Sequence, residues 1–271
     1  MKQLILLLIL CTSFSGWSQS WVQTNKAVAS DRFTNDEFGF AVAMDGDYAI
    51  IGARLEDEDT SGNNAISQAG SAYVFKKDSN GNWNQYQKLI ASDRSFNHEF
   101  GTSVDISGDR IIVGAPENVA GAAYVYELIG STWTEVAKLE ASDGVNNDLF
   151  GFSVAIDNDA IIIGAYNEEE DKFGNNSLDE SGSAYIFERI NGTWQETEKL
   201  VAADREDDDW FGYSVDISGD FAVIGAYKED HDAVGNNFQD TSGSAYIFHN
   251  AGGAWSQVQK IVSHNFKLMN I

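Results

Sequence analysis

The dipeptide Phe-Gly recurs at Phe38-Gly39, Phe100-Gly101, Phe150-Gly151 and Phe211-Gly212, with offsets of 62, 50 and 61 residues (100−38, 150−100, 211−150). A Gly-Ala pair follows each Phe at a constant distance of 14 residues, at Gly52-Ala53, Gly114-Ala115, Gly164-Ala165 and Gly225-Ala226 (52−38, 114−100, 164−150, 225−211). Two more landmarks keep the same order: Gly-(Ser/Ala)-Ala-Tyr at Gly70, Gly121, Gly182 and Gly243, then Trp83, Trp133, Trp194 and Trp255. Self-similarity at such periods marks one supersecondary unit repeated, because a single unit cannot bury its own apolar face.

Each unit divides into four short apolar runs bounded by turn residues, which is a β pattern and not a helical one. In the first unit these are Phe40 to Met44, Tyr48 to Ile51, Tyr73 to Phe75 and Trp83 to Leu89. Asp45-Gly46-Asp47, Ser107-Gly108-Asp109, Asp157-Asn158-Asp159 and Ser218-Gly219-Asp220 separate the first two runs with residues that tolerate positive φ in tight hairpins. Repeated four-stranded sheets of this size stack radially as propeller blades. The expectation is an all-β propeller-type repeat of four antiparallel blades, at about 38–92, 100–142, 150–203 and 211–262, with an extra N-terminal strand over 21–29 and an irregular tail over 263–271. The extra strand is suggested by Trp21, an unpaired fifth tryptophan, and the ring is expected to be incomplete or open.

Phe100-Gly101 followed by Val113-Gly114-Ala115-Pro116 resembles the FG-GAP repeat of the integrin α-subunit propeller and its bacterial relatives, and the other units keep Phe-Gly and Gly-Ala with Arg54, Tyr166 or Tyr227 in place of proline. The resemblance implies a cell-surface or adhesion module that offers loops to a protein or glycan. It also implies calcium in an Asp-x-Asp-x-Asp-Gly-x-x-Asp loop between the first two strands. That loop is cut short here, since Asp105-Ile106-Ser107-Gly108-Asp109 runs directly into Arg110-Ile111-Ile112.

Composition narrows the function further. With 42 acidic against 17 basic residues the net charge is −25, which repels nucleic acid and anionic lipid. Lys2, the run Leu4 to Leu10 and the small, polar stretch that follows have the order of a secretory signal peptide over 1–19, too short to span a bilayer. Cys11 is the only cysteine, so no disulfide staples the mature chain.

Units one, three and four carry an acidic insertion after Gly-Ala in which carboxylates two apart precede a glycine and an amide. Asp57, Asp59 and Asn63 correspond to Glu169, Asp171 and Asn175 and to Asp230, Asp232 and Asn236. Hard oxygen donors around a sharp turn suit calcium, and they equally suit solvated loops. Tyr166, Trp210 and Tyr227 fall outside the repeated aromatic pattern and are the candidate ligand-binding residues.

No catalytic constellation stands out. Gly101-Thr102-Ser103, Gly151-Phe152-Ser153 and Gly212-Tyr213-Ser214 imitate half a nucleophile elbow but recur once per blade, as strand positions do. The leading expectation is therefore a secreted binding or adhesion module with an extracellular protein or glycan partner. The alternatives are a structural or truncated repeat segment and a propeller-based carbohydrate-active enzyme. Uncovered sheet edges are expected to favour self-association.

Overall fold

The computed structural model describes residues 23, 25–231 and 241–263. Sixteen strands form four separate antiparallel sheets, each in simple chain order. Blade 1 holds β1 (Val42–Asp45), β2 (Tyr48–Ala53), β3 (Ser71–Lys77) and β4 (Trp83–Leu89). Blade 2 holds β5 (Ser103–Ser107), β6 (Arg110–Ala115), β7 (Ala122–Ile129) and β8 (Thr132–Leu139). Blade 3 holds β9 (Ser153–Asp157), β10 (Ala160–Ala165), β11 (Ser183–Ile190) and β12 (Thr193–Leu200). Blade 4 holds β13 (Phe211–Ser218), β14 (Phe221–Ala226), β15 (Ser244–Asn250) and β16 (Trp255–Val262).

Register repeats as faithfully as sequence. The third and fourth strands of every blade slip at one equivalent point, between Val74/Phe75, Val125/Tyr126, Ile186/Phe187 and Ile247/Phe248. A bulge at a fixed place increases local twist, so all four sheets twist alike and stack face to face. The β1–β2 type hairpins turn on Gly46, Gly108, Asn158 and Gly219, all at positive φ.

The two landmark dipeptides make the blade junctions. Each Phe ring stands edge-on against the Tyr of its own third strand, as Phe100 does to Tyr124 at 5.4 Å, and the backbones of Phe100, Phe150 and Phe211 bridge the preceding blade, as in Gly70 to Phe100. A Cβ on Gly52, Gly114 or Gly164 would fall 2.0, 1.9 or 2.0 Å from the carbonyl oxygen of Gly101, Gly151 or Gly212. Gly-Ala is thus required by backbone-to-backbone contact between blades. The core consists of the layers between sheets; Ile50, Ala72, Val74 and Leu89 of blade 1 pack with Phe100, Val104 and Ile106 of blade 2.

A second set of contacts latches each blade to the connector before it. Asp93 accepts from Tyr124 Oη (2.6 Å) and Lys138 Nζ (2.8 Å), and Ser92 binds Glu135 through its N–H and hydroxyl. Asp143 and Asp204 do the same to Tyr185 with Lys199 and to Tyr246 with Lys260.

The same latch corrects the reading of residues 21–29. The described residues 25–29 join no ladder, because β4 already completes blade 1. Instead, Ser30 N–H donates to Gln85 and Asp31 accepts from Tyr73 and Lys88. Its described part fills the place that the Ala-(Ser/Ala)-Asp connector fills before each later blade. Trp21 and the expected signal peptide lie outside the described residues.

Candidate functional site

Three positions of every unit meet where one blade touches the next: the residue before Phe-Gly, the residue after it, and the residue after Gly-Ala. At the first junction these places hold charge. Arg54 pairs with Glu37 (2.7 Å) and Glu99 (3.0 Å), and its guanidinium lies 4.0 Å over the Phe40 ring.

At the junction of blades 3 and 4 the same places hold rings. Tyr166, Trp210 and Tyr227, far apart in sequence, come together with Phe152 and Tyr213 in one cluster. Tyr166 meets Phe152 at 4.6 Å and Trp210 at 4.9 Å. Tyr213 stacks on Trp210 at 5.8 Å and on Tyr227 at 4.9 Å. The indole is fixed by its Nε1–H, which donates to Glu180 at 2.8 Å, and by Lys228, whose Nζ stands 3.5 Å from its ring centre. Tyr227 closes the stack and is 56% exposed. Trp210 has φ +57°, but Glu37, Glu99 and Leu149 share that conformation, so the repeat imposes it. What is particular to blade 4 is the choice of an indole there.

The carboxylates of the insertions are disposed differently from the pattern in sequence. Asp59 accepts from the N–H of Ser61 and Asn63 and from Asn64 Nδ2, and Asp171 accepts from the N–H of Phe173 and Asn175 and from Asn176 Nδ2. These donors hold both carboxyls well below the usual range. Asn63 and Asn175 turn their amide N–H groups to the carbonyls of Ser61 and Phe173. Asp57 accepts from Gln68 N–H, and the carbonyls of Asp57 and Glu169 are capped by Arg94 and Arg205. Asp230 lies 2.9 Å from His231 Nδ1. Asp232 and Asn236 lie outside the described residues.

The acids that do converge went unmarked in the sequence. Glu56, Glu168 and Glu229, three residues after each Gly-Ala alanine (56−53, 168−165, 229−226), are almost fully buried. Glu168 accepts from Ser183 Oγ, Lys199 Nζ and the N–H of Glu170 at 2.5, 2.8 and 2.9 Å. Glu56 does so from Ser71, Lys88 and Glu58, and Glu229 from Ser244, Lys260 and His231. Oxygens of Asp143, Glu168 and Glu170 lie within 4.8 Å of one another. The place a cation would take between Asp143 and Glu168 is held by the Lys199 ammonium. Each glutamate also binds the N–H two residues on, so it roots its insertion. Unit two has no long insertion and carries Asn118 there.

The FG-GAP repeat profile matches residues 21–75, 83–126, 133–187 and 194–248. The chain belongs to the FG-GAP repeat family. Each matched segment begins at a tryptophan position and ends in a third strand. No curated protein matches the chain. Among solved structures, it resembles a putative 6-phosphogluconolactonase from Bacteroides uniformis ATCC 8492, with 12% identity and a TM-score of 0.52 over 84% of this chain. The FG-GAP chain spans 57% of that protein's length. At this identity the likeness shows the fold alone.

A buried aspartate precedes Phe-Gly by two residues in three of the FG-GAP units, as Asp36, Asp148 and Asp209, and His98 replaces it in unit two. Burial, and then the facing Glu168 and Glu229, push Asp148 up to about 6 and Asp209 up to about 7. An unfolded aspartate titrates near ~3.9. The folded chain therefore binds this proton more tightly, and the stability it contributes is present at low pH and lost as pH rises from about 4 through 7. Above that window the buried Asp209 charge costs on the order of 4 kcal/mol. Asp209→Asn, which keeps an acceptor for Glu206 N–H, should raise the melting temperature at pH 8 and leave it unchanged at pH 4. An equal shift at both values would show that the charge is not what matters.

Proposed function

We propose that the chain is a secreted binding module that takes a neutral glycan on the aromatic platform of blades 3 and 4. The observation that supports this is Tyr227, more than half exposed at the end of a stack that Trp210 and Tyr213 hold in place. Rigid rings with polar tips supply contact area at small entropic cost. The apolar face of a pyranose lies flat on such a ring, while Glu180 and the tyrosine hydroxyls stand near to bond its hydroxyls. The net charge of −25 disfavours anionic saccharides. Catalysis forms no part of the reading, and secretion rests on the order of the first 19 residues.

Calorimetric titration of a panel of neutral oligosaccharides, in millimolar calcium and again in chelator, tests both the ligand class and the cation. Tyr227→Ala should weaken binding tenfold or more, the loss of about 1.4 kcal/mol, and leave the melting curve unmoved. Failure of every neutral glycan to bind, or equal affinity for the Tyr227 variant, overturns the proposal.

A further inference from the structure

Blade 4 ends in a surface that every other blade has covered, and blade 1 begins with the surface that does the covering. Val104 and Ile106 of blade 2 are 8% and 5% exposed beneath blade 1, whereas their counterparts in blade 1, Val42 and Met44, are 69% and 64% exposed. On the trailing side, Leu89, Leu139 and Leu200 are buried under the next blade, and their counterpart Ile261 is 46% exposed. The uncovered surfaces are sheet faces rather than strand edges.

We infer that a second copy of this chain seats the leading face of its blade 1 on the trailing face of blade 4, head to tail. The three internal junctions are the template, and the two free faces carry its unmatched halves. Ser103 and Ser153 donate to the carbonyls of Gly151 and Gly212 in the following blade; Ser214 stands in that place, exposed, beside Gly225, which meets no following backbone. Arg94 and Arg205, six residues before their Phe (100−94, 211−205), bond the carbonyls of Asp57 and Glu169 in the preceding blade. Arg32 stands six before Phe38 (38−32), with no bonded partner among the described residues, and Asp230 is the counterpart that awaits it.

The latches complement each other as well. Every junction uses one Ala-(Ser/Ala)-Asp connector. Blade 1 brings its own, Ala29-Ser30-Asp31, already bound to Tyr73 and Lys88, while the stretch after β16 reads Ser263-His264-Asn265 and supplies none. Within the chain, Phe100, Phe150 and Phe211 are already seated on the blades before them. Among the described residues Phe38-Gly39 is the pair that bridges no preceding blade, and on a second copy it would reach blade 4. Such a contact is heterologous, and it closes when the rotation per copy permits, as two four-bladed arcs sharing an eight-bladed ring would.

Sedimentation equilibrium of the chain and of two surface variants tests this. The native chain should associate, and Met44→Asp and Ile261→Asp should each raise the dissociation constant tenfold or more with unchanged melting, since both side chains are exposed in the single copy. Mixed in equal amounts, the two variants should form a one-to-one pair, because one retains a sound trailing face and the other a sound leading face. A native chain that stays monomeric, variants that associate as it does, or a mixture that stays monomeric would overturn the inference. Tyr227 lines the same groove as Ile261, so Ile261→Asp can disturb both readings, whereas Met44 lies on β1 of blade 1; glycan binding that survives Met44→Asp while pairing is lost separates the two.

Discussion

Gly164→Ala is expected to destabilise the chain by about 3 kcal/mol or more, the upper end of what overpacking costs, and to release blade 4 from blade 3. A Cβ at Gly164 would lie 2.0 Å from the Gly212 carbonyl oxygen, 2.9 Å from its carbon and 2.3 Å from Ser153 Oγ. The serine can rotate away, but the carbonyl belongs to backbone that Phe211 pins by donating to Ser181. Relief therefore requires separating two sheets and uncovering Ile162, Leu200 and Phe211. Gly225→Ala is the control. The same landmark in the last blade closely faces Ser214 Oγ, at 2.4 Å, and no following backbone, so the unfolding free energy of the single copy should fall by about 1 kcal/mol at most. Urea unfolding of the two variants reads the difference, and a Gly164 variant as stable as the Gly225 variant would mean that backbone contact does not set the blade spacing.

The same comparison shows why the fold was legible and much of the site was not. Phe-Gly, Gly-Ala and the hairpin glycines are local requirements, so they recur at fixed spacing and declare themselves. The latch is not local. Asp93 meets Tyr124 and Lys138 across a blade boundary, and nothing in the spacing of Ala-Ser-Asp names those partners. Residues 21–31 copy in sequence the stretch that follows the third strand of each blade, yet the described residues 25–29 join no ladder, because β4 already completes blade 1.

The acidic insertions follow a local rule that spacing does not display. Alternating carboxylates suit either a cation or a solvated loop, and Asp59 and Asp171 accept from the N–H groups of their own loops. Glu56, Glu168 and Glu229 stand just before the conspicuous motif. Their signal lay in what unit two lacks, since Asn118 and His98 replace the Glu and the Asp together with the loss of the insertion. Tyr166, Trp210 and Tyr227 were recognisable because they break the repeat, and the fold gathers them because their positions flank one junction. Phe152 and Tyr213 directly follow Phe-Gly and complete the cluster.

Lys199→Met should cost about 3–5 kcal/mol, the range for breaking a buried ion pair from one side. The ammonium lies 2.7 Å from Asp143 Oδ2 and 2.8 Å from Glu168 Oε1, with both the lysine and the glutamate side chains buried, and among the described residues it is the cation that the two carboxylates share. Burial raises the Glu168 carboxyl, and the lysine counters that; without it, Glu168 keeps only Ser183 and the Glu170 N–H. Two comparisons separate charge from packing. Lys138→Met removes the equivalent cation of unit two, where Asp93 and Glu140 are open to solvent, and should cost about 1 kcal/mol or less. Adding Glu168→Gln to Lys199→Met takes away the stranded anion and should restore a large part of the loss. If the double variant is as unstable as Lys199→Met alone, the loss does not come from stranding the Glu168 anion. If it recovers, the buried glutamate and lysine are a mutually dependent pair, which explains why unit two dispensed with the glutamate and the long insertion at once.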